Sequence, residues 1–246
     1  MIQVALNGAR TRSENAAIPF TNAEMAESVR QAVAAGAGSV HFHVRGSDGQ
    51  ESVDAADVAV ALKAMRQVVP GTPIGVSTAE WIEPDSAVRH AKIAAWDLLP
   101  DFASVNFNEP GAVELAQMLI SRGVGIEAGL GSVLAVENFV GCKIGPQCLR
   151  ALLEPEEQDM AAAVAVVGFL EAFLNRGGVK IPRLLHGYND TAWNFIGIAA
   201  LKGYDTRIGF EDTVVMPDGK LAAGNGEIIG EAVQLTKAVS KTRAAI

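Results

Sequence analysis

The stretch SVHFHVR, residues 39–45, alternates strictly between apolar and polar side chains. This period of two predicts a β-strand with unlike faces, in which the two valines and the phenylalanine share one face. His41, His43 and Arg45 share the other face. In a sheet whose outer side is covered by helices, the apolar face packs on those helices. The two histidines then point to the inner face of the sheet. The fold follows from how the remaining strands are arranged around that face.

Strand and helix patterns alternate along the rest of the chain without a linker or a change in composition. Strands are predicted at residues 2–6, 39–44, 73–76, 102–107, 124–127, 148–153, 183–186 and 207–211. Helices are predicted at residues 22–35, 55–68, 86–96, 112–122, 133–140, 156–174, 191–202 and 227–240. Eight such units predict an α/β fold, a (β/α)8 TIM barrel, with residues 1–246 as a single catalytic domain. The alternative is a doubly wound open sheet, whose usual glycine fingerprint does not match NGAR at residues 7–10.

Composition limits the classes of function. The 246 residues carry 20 Lys and Arg against 28 Asp and Glu, a net charge of −8, and 49% of them are hydrophobic. This balance predicts a globular protein with a large core, excludes disorder and argues against nucleic-acid binding. No apolar run approaches the roughly 18 residues of a membrane span, and no leader peptide is apparent. Two cysteines are too few for a disulfide framework, so a cytoplasmic protein that binds neither membrane nor nucleic acid is expected.

Polar residues are predicted inside the barrel. The last predicted strand points Ile208 and Phe210 outward and Arg207 and Glu211 inward. Further polar residues with inward parity at or near predicted strand ends are Ser77, Ser104, Asn106, Glu127, Arg150 and Glu154. Barrel interiors are usually filled with aliphatic side chains, and unpaired buried polar groups are costly. The pattern therefore indicates an active site at the carboxyl-terminal mouth of the barrel.

The histidine pair predicts a metal site. Two histidines spaced two residues apart on a strand lie about 6–7 Å apart on one face and can bind a single ion. Glu211 on the last strand would face them across the first strand. Two histidines and a carboxylate are typical of catalytic Zn²⁺, or of Fe²⁺ in oxygenases. The alternative is that His41 and His43 only hydrogen-bond at the mouth, without a metal.

Three further residues are candidates for catalysis or substrate binding. Asp212, next to Glu211, is placed to act as a base, with Arg207 to orient it; a structural ion pair is the alternative. Arg10, in the turn after the first strand, suits the capture of a carboxylate, and a surface arginine is its alternative. At the barrel mouth it would favour substrates with an acidic or uncharged tail, unless it binds a phosphate of a second substrate.

Four motifs together resemble the β-keto acid cleavage enzymes. They are LNGAR at residues 6–10, AGA at 35–37 followed by HFHVR at 41–45, GVST at 75–78, and DTRIGFEDT at 205–213. The resemblance extends from the first strand to about residue 233. It implies a zinc-dependent TIM barrel that condenses a β-keto acid with acetyl-CoA and releases acetoacetate and a new acyl-CoA.

The resemblance also implies roles for individual residues. His41, His43 and Glu211 would hold one Zn²⁺ per chain, and Arg207 with Asp212 would remove the α-proton of the substrate.

The same resemblance implies substrate-binding residues, but the sequence matches the family less well at these positions. Ser77 matches a substrate-binding serine, and Asn106 lies near the position of a family threonine. Arg10 stands where a related enzyme has a glutamate for a substrate amine, and residues 79–80 replace a Gly-Gly pair. A homo-oligomer, dimer or tetramer, is expected.

Two other classes of function stay open. One is a metal-dependent barrel lyase, aldolase or hydrolase that acts without CoA, which would retain metal but form no acyl-CoA. The other is a sugar- or metabolite-binding barrel without catalysis, which would bind no metal.

Overall fold

Eight parallel strands close into a barrel in the computed structural model, in the order in which they occur along the chain. The strands are β1 (Ile2–Ala5), β2 (Ser39–Phe42), β3 (Ile74–Ser77), β4 (Phe102–Asn106), β5 (Gly125–Leu130), β6 (Arg150–Leu153), β7 (Arg183–Leu185) and β8 (Asp205–Ile208). In β1, Gln3 pairs with Ser39 on one side and with Arg207 on the other, which completes the ring. The structure describes residues 1–244, with side chains through residue 239. The predicted (β/α)8 barrel is confirmed, and the open sheet is excluded.

Helices follow the strands and cover the outer face of the barrel. They are α1 (Asn22–Ala35), α2 (Ala55–Val68), α3 (Ser86–Ala94), α4 (Ala112–Ser121), α5 (Val133–Cys142), α6 (Met160–Arg176), α7 (Ala192–Lys202) and α8 (Asn225–Ala244). The first two have the predicted bounds. Thr21 and Glu24 form a capping box before α1, and Gly36 ends it at φ 118°. None of the helices within residues 1–244 is long and apolar enough to cross a bilayer.

The segment before α6 differs from the sequence prediction. Helix is predicted from residue 156, but α6 begins at Met160, because the Asp159 carboxylate caps it by accepting a hydrogen bond from the Ala162 amide at 2.9 Å. Glu156 and Glu157 consequently lie in the loop that follows β6, at the mouth of the barrel.

The end of β8 differs as well. The strand ends at Ile208 instead of continuing to residue 211. Gly209 lies so close to the Ala5 carbonyl oxygen that a Cβ atom at this position would be 2.0 Å from it. The chain then turns, and the Glu211 amide donates to the same carbonyl at 3.2 Å. Glu211 therefore reaches the mouth from a loop, and strand parity was the wrong reason for placing it there.

Two of the predicted mouth residues lie instead at the floor of the barrel. The Arg150 guanidinium donates to Glu127 at 2.8 Å and to Asp205 at 3.0 Å, and Gln3 donates to Glu127 at 2.8 Å. The prediction is wrong for Glu127 and Arg150 because β5 runs on to Leu130 and β6 begins at Arg150. The alternation of residues along a strand fixes which face a side chain lies on. It does not fix how far along the barrel axis that side chain lies. These hydrogen bonds and ion pairs link the polar groups that close the lower end of the interior.

Candidate active site

Three side chains from the two ends of the chain converge at the mouth. His41 lies on β2 and His43 follows it, and their ring centroids are 5.5 Å apart. Oε2 of Glu211 is 3.5 Å from Nε2 of His41, and its Oε1 is 3.5 Å from Nε2 of His43. One ligand atom of each residue falls within 4.8 Å of the others. The structure thus brings together the three residues predicted as metal ligands.

Neighbouring groups hold these side chains in place. The Nδ1 of His43 contacts the Glu51 carboxylate, which fixes the ring so that Nε2 faces Glu211. The Asn7 side chain bonds to the backbone of His43 through two hydrogen bonds of 2.9 Å. Trp81 stacks on His43 with ring centroids 6.1 Å apart. Sequence reasoning missed Glu51 and Trp81, because neither lies on a strand.

Two of the three groups, His41 and Glu211, are already in the form that binds a metal ion, and the third, His43, must release a proton to bind one. Burial lowers the pKa of His41 to about 3, so this imidazole is neutral and has a lone pair to offer. Burial alone would lower the pKa of His43, but the carboxylates of Glu211 and Glu51 raise it to about 9. Burial also opposes ionisation of Glu211, yet Arg207 and the histidines hold its pKa well below the usual range. Its Oε2 is buried with no hydrogen-bond partner among the described residues. Two imidazoles and an ionised carboxylate fit Zn²⁺, and a cation would satisfy that oxygen.

Arg207 links the metal cluster to Asp212. Its guanidinium is 2.7 Å from Oε1 of Glu211 and 3.0 Å from Oδ1 of Asp212. Burial would lower the pKa of Arg207, but the two carboxylates raise it well above the usual value, so the guanidinium keeps its charge. The Asp212 side chain is fully buried, and its Oδ2 makes no hydrogen bond to any described group. That oxygen is available to accept a proton.

A third histidine lies beside Asp212. Nδ1 of His186 is 3.4 Å from Oδ1 of Asp212, and its Nε2 is 3.4 Å from Oε2 of Glu154. The Tyr188 hydroxyl donates to the same Glu154 oxygen at 3.3 Å. Burial would lower the pKa of His186, but the two carboxylates raise it. Sequence reasoning left His186 out of the site, although its position directly after β7 was a signal for an inward-facing residue.

A cavity of about 360 Å³ opens above the metal cluster. His41, Glu211 and Arg207 line one side of it, and Ser77 and Asn106, at the ends of β3 and β4, line another. Asn106 donates to the Glu109 carboxylate at 2.8 Å. Both predicted substrate-binding residues on these strands therefore face the space where a substrate would lie, and contact with substrate stays a prediction.

Arg10 lies in an adjoining cleft. Its guanidinium donates to the backbone carbonyls of Glu211 at 3.1 Å and Asp212 at 3.3 Å, and it contacts the Asn189 side chain. Glu14 neutralises its charge at 2.7 Å. Arg10 thus ties the loop after β8 to the turn after β1; its contact with a substrate stays a prediction.

Comparison with known sequences identifies relatives of the whole chain. A family profile described as beta-keto acid cleavage enzyme matches residues 1–136 and 156–245. The chain is 25% identical over 264 residues to a 3-keto-5-aminohexanoate cleavage enzyme of Fusobacterium nucleatum, which covers 98% of this chain and 92% of that protein. Over 106 residues it is 35% identical to the 3-oxoadipate:acetyl-CoA acetyltransferase of Cupriavidus necator, which covers 43% of this chain and 36% of that protein.

Solved structures support the same fold. ObcA, in a ternary complex with a C4-CoA adduct and oxalate, matches with a TM-score of 0.74 at 14% identity and covers 90% of this chain. This chain spans 64% of the length of that ObcA chain. The 3-dehydroquinate dehydratase of Geobacillus kaustophilus matches with a TM-score of 0.59 at 12% identity, over 98% of this chain and 91% of that one. At these identities the likeness shows the barrel fold alone.

Proposed function

The chain belongs to the β-keto acid cleavage enzyme family, and from that membership we propose that it is a zinc-dependent acyltransferase. In the proposed reaction a β-keto acid and acetyl-CoA give acetoacetate and a new acyl-CoA. One observation supports this most directly. A metal-binding triangle that lines the cavity is joined through a single guanidinium, Arg207, to a fully buried carboxylate with a free oxygen, Asp212.

His41, His43 and Glu211 would hold the metal. When bound there, Zn²⁺ supplies a Lewis acid for the keto and carboxylate oxygens of the substrate. Asp212 accepts the α-proton on Oδ2, and Arg207 fixes the other oxygen of that carboxylate.

The carbon chemistry balances without an external acid. The carbanion left by proton loss attacks the thioester carbonyl of acetyl-CoA, forms a carbon–carbon bond and displaces the CoA thiolate. This thiolate attacks the original keto carbon, and the bond between that carbon and the α-carbon breaks. The departing acetoacetate carbanion takes the proton back from Asp212. We place Ser77 and Asn106 as donors to the substrate, because both face the cavity.

The expected setting is a single catalytic domain in the cytoplasm that works as a dimer or tetramer. Neither partner macromolecules nor nucleic acid enter the proposed reaction. Only acetyl-CoA and the β-keto acid are consumed.

The test is direct. Purified protein, with its zinc content measured, is incubated with acetyl-CoA and a panel of β-keto acids, and acetoacetate and acyl-CoA are quantified by mass spectrometry. About one zinc per chain and paired formation of both products are expected, and His41→Ala should lose both. Acid consumption with retained metal but no acyl-CoA would favour a lyase, aldolase or hydrolase. Full activity after exhaustive chelation would exclude the zinc-dependent mechanism.

A further inference from the structure

His186 is a buried histidine that the proposed reaction does not use. It directly follows β7, and its side chain is completely buried. Its Nδ1 lies 3.4 Å from Oδ1 of Asp212, and its Nε2 lies 3.4 Å from Oε2 of Glu154. Within the described part of the chain, neither ring nitrogen forms a hydrogen bond. Buried nitrogens without a hydrogen bond are rare in folded proteins, so this ring calls for an explanation.

One end of the ring faces the carboxylate that accepts the proton in the proposed reaction. Nε and Nη2 of Arg207 donate to Oδ1 of Asp212 at 3.2 and 3.0 Å, and Nδ1 of His186 approaches the same oxygen. Oδ2 of Asp212 makes no hydrogen bond to a described residue. The carboxylate is therefore held at one oxygen from the ends of two strands, β7 and β8, and this fixes the direction of the other oxygen.

The other end of the ring faces the wall of the cavity. Glu154 directly follows β6 and lines the cavity, whereas the Asp212 side chain is fully buried. The Tyr188 hydroxyl donates to Oε2 of Glu154 at 3.3 Å, and the Tyr188 ring lies 5.0 Å from the His186 ring. A Cβ atom added at Gly129 would be 2.6 Å from Oε1 of Glu154, so glycine at this position leaves room for the carboxylate. His186 thus supports a residue of the cavity wall as well as Asp212.

The charge of His186 suits contact with two carboxylates. Burial and the nearby Arg207 lower the pKa of His186, but Asp212 and Glu154 raise it, and the net shift is upward. This shift favours the imidazolium, in which both ring nitrogens are donors. A separation of 3.4 Å is long for a hydrogen bond, but contacts of this kind in active sites often shorten when the substrate binds. One ring can therefore hold two carboxylates that lie on different loops.

We propose that His186 is a positioning residue with two separable roles: its Nδ1 fixes the Asp212 carboxylate for proton removal, and its Nε2 fixes Glu154 in the wall that receives the substrate. The inference rests on the proposed function, which makes Asp212 the proton acceptor. The family profile does not match residues 137–155, which include Glu154. The two contacts of the ring in this chain, and not the family likeness, therefore support the assignment.

Two substitutions separate the roles of the two nitrogens. The side-chain amide of asparagine occupies about the place of Nδ1 in histidine, and that of glutamine occupies about the place of Nε2. His186→Asn can therefore still contact Asp212 but not Glu154, and His186→Gln can still contact Glu154 but not Asp212. Both variants lack the charge of the ring, so a comparison between them removes the effect of losing that charge.

Steady-state kinetics should distinguish the two variants, with acetyl-CoA and the β-keto acid that the wild type uses best. We expect kcat to be lower in His186→Gln than in His186→Asn by about tenfold or more, because a displacement of about 1 Å in a catalytic group can cost about a hundredfold. We expect KM for the β-keto acid to be higher in His186→Asn by about threefold or more, the scale of one lost hydrogen bond. A network that only stabilises the fold would not separate kcat from KM in this way. Equal values in the two variants, or the opposite order, would overturn the proposal.

Folding and the metal site are checked separately. The zinc content and the thermal midpoint of each variant report an intact site and fold. If either His186 variant does not fold, Glu154→Gln tests the separation from the other end. It should raise KM by about threefold or more while kcat falls by less than about tenfold, and the reverse pattern would overturn the proposal. The matched control is His90→Gln, on α3 and outside the residues that line the cavity, which should change neither constant.

Failure of the proposed function gives a different result. If the wild type forms no acyl-CoA from any β-keto acid, acyl exchange is wrong, and exchange of the substrate α-protons with D2O in the absence of acetyl-CoA measures proton removal alone. The exchange rate, corrected for the reaction without protein, should still be lower in His186→Gln than in His186→Asn by about tenfold or more. Equal rates in the two variants, or no catalysed exchange by the wild type, would overturn the inference.

Discussion

Gly8 provides a way to move one metal ligand without changing its chemistry. It follows β1 with φ at 57°, in the left-handed region, and lies directly beneath the Glu211 side chain. A Cβ atom added at this position would be 2.5 Å from Cγ of Glu211, about 1 Å closer than two carbon atoms prefer. In Gly8→Ala the carboxylate must therefore shift by about 1 Å, whereas metal–ligand distances vary by only about 0.2 Å.

The backbone cost of this substitution can be measured separately. An alanine in the left-handed region costs roughly 1–2 kcal/mol wherever it occurs. Gly71 has φ 80° and nothing within 4 Å of an added Cβ, so Gly71→Ala has the same backbone cost without displacing a neighbour. In thermal unfolding of the metal-free protein, Gly71→Ala reports the backbone cost alone, and Gly8→Ala should lose at least as much stability because it also displaces Glu211.

Zinc affinity should separate the two variants. Competition with a chelator of known affinity should show Gly8→Ala weakened at least 10–100-fold, the range found when support for a metal ligand is lost. Gly71→Ala should bind zinc like the wild type. Equal zinc affinity in the two variants would refute the reasoning, because Glu211 would then not need its present position to hold the metal.

Three further substitutions test separate parts of the structure. Asp212→Asn should keep its zinc while kcat falls by about 10²–10⁴-fold, as expected for loss of a general base; loss of zinc instead would make Asp212 a ligand. Arg150→Ala should lower the free energy of unfolding in urea by about 3–5 kcal/mol, because Glu127 stays buried without its cation, and a loss under about 1 kcal/mol would contradict this. Backbone hydrogen bonds from Thr21 and Phe20 lower the pKa of Glu24 from 4.5 to about 2. Its stabilising effect is therefore present above pH 4.5 and disappears as the pH falls to about 2. Glu24→Gln should be less stable than the wild type at pH 7 and equally stable below pH 2, in parallel denaturant titrations.

The alternation in residues 39–45 was sufficient to place both histidines correctly, because strand parity depends on local backbone geometry alone. The alternation did not predict positions along the barrel axis. Glu127 and Arg150 face inward as predicted, but they lie at the floor because β5 ends later and β6 begins later than predicted. Glu211 lies beside the two histidines as predicted, but on a loop instead of a strand, since the turn at Gly209 depends on the approach of Ala5.

Partners distant in sequence were beyond prediction. Arg10 binds the carbonyls of Glu211 and Asp212 across about 200 residues of chain, and no local pattern encodes such a contact. The same holds for His186, whose inward position was readable but whose neighbours, Glu154 and Asp212, lie on two other loops. The cavity also depends on several loops meeting at the mouth, which only closure of the ring specifies.

The division of the barrel interior bears on how such a protein diversifies. At the floor, Gln3, Glu127, Arg150 and Asp205 depend on one another, so a change in any of them threatens folding. At the mouth, several cavity-lining side chains lie on loops and are partly exposed, and Glu80 and Glu156 form no ion pair among the described residues. Mutations there cost little stability, so the protein keeps the stability it needs to fold and such mutations can accumulate. Changes in the mouth loops can therefore alter substrate preference at little cost in stability, whereas changes at the floor cannot.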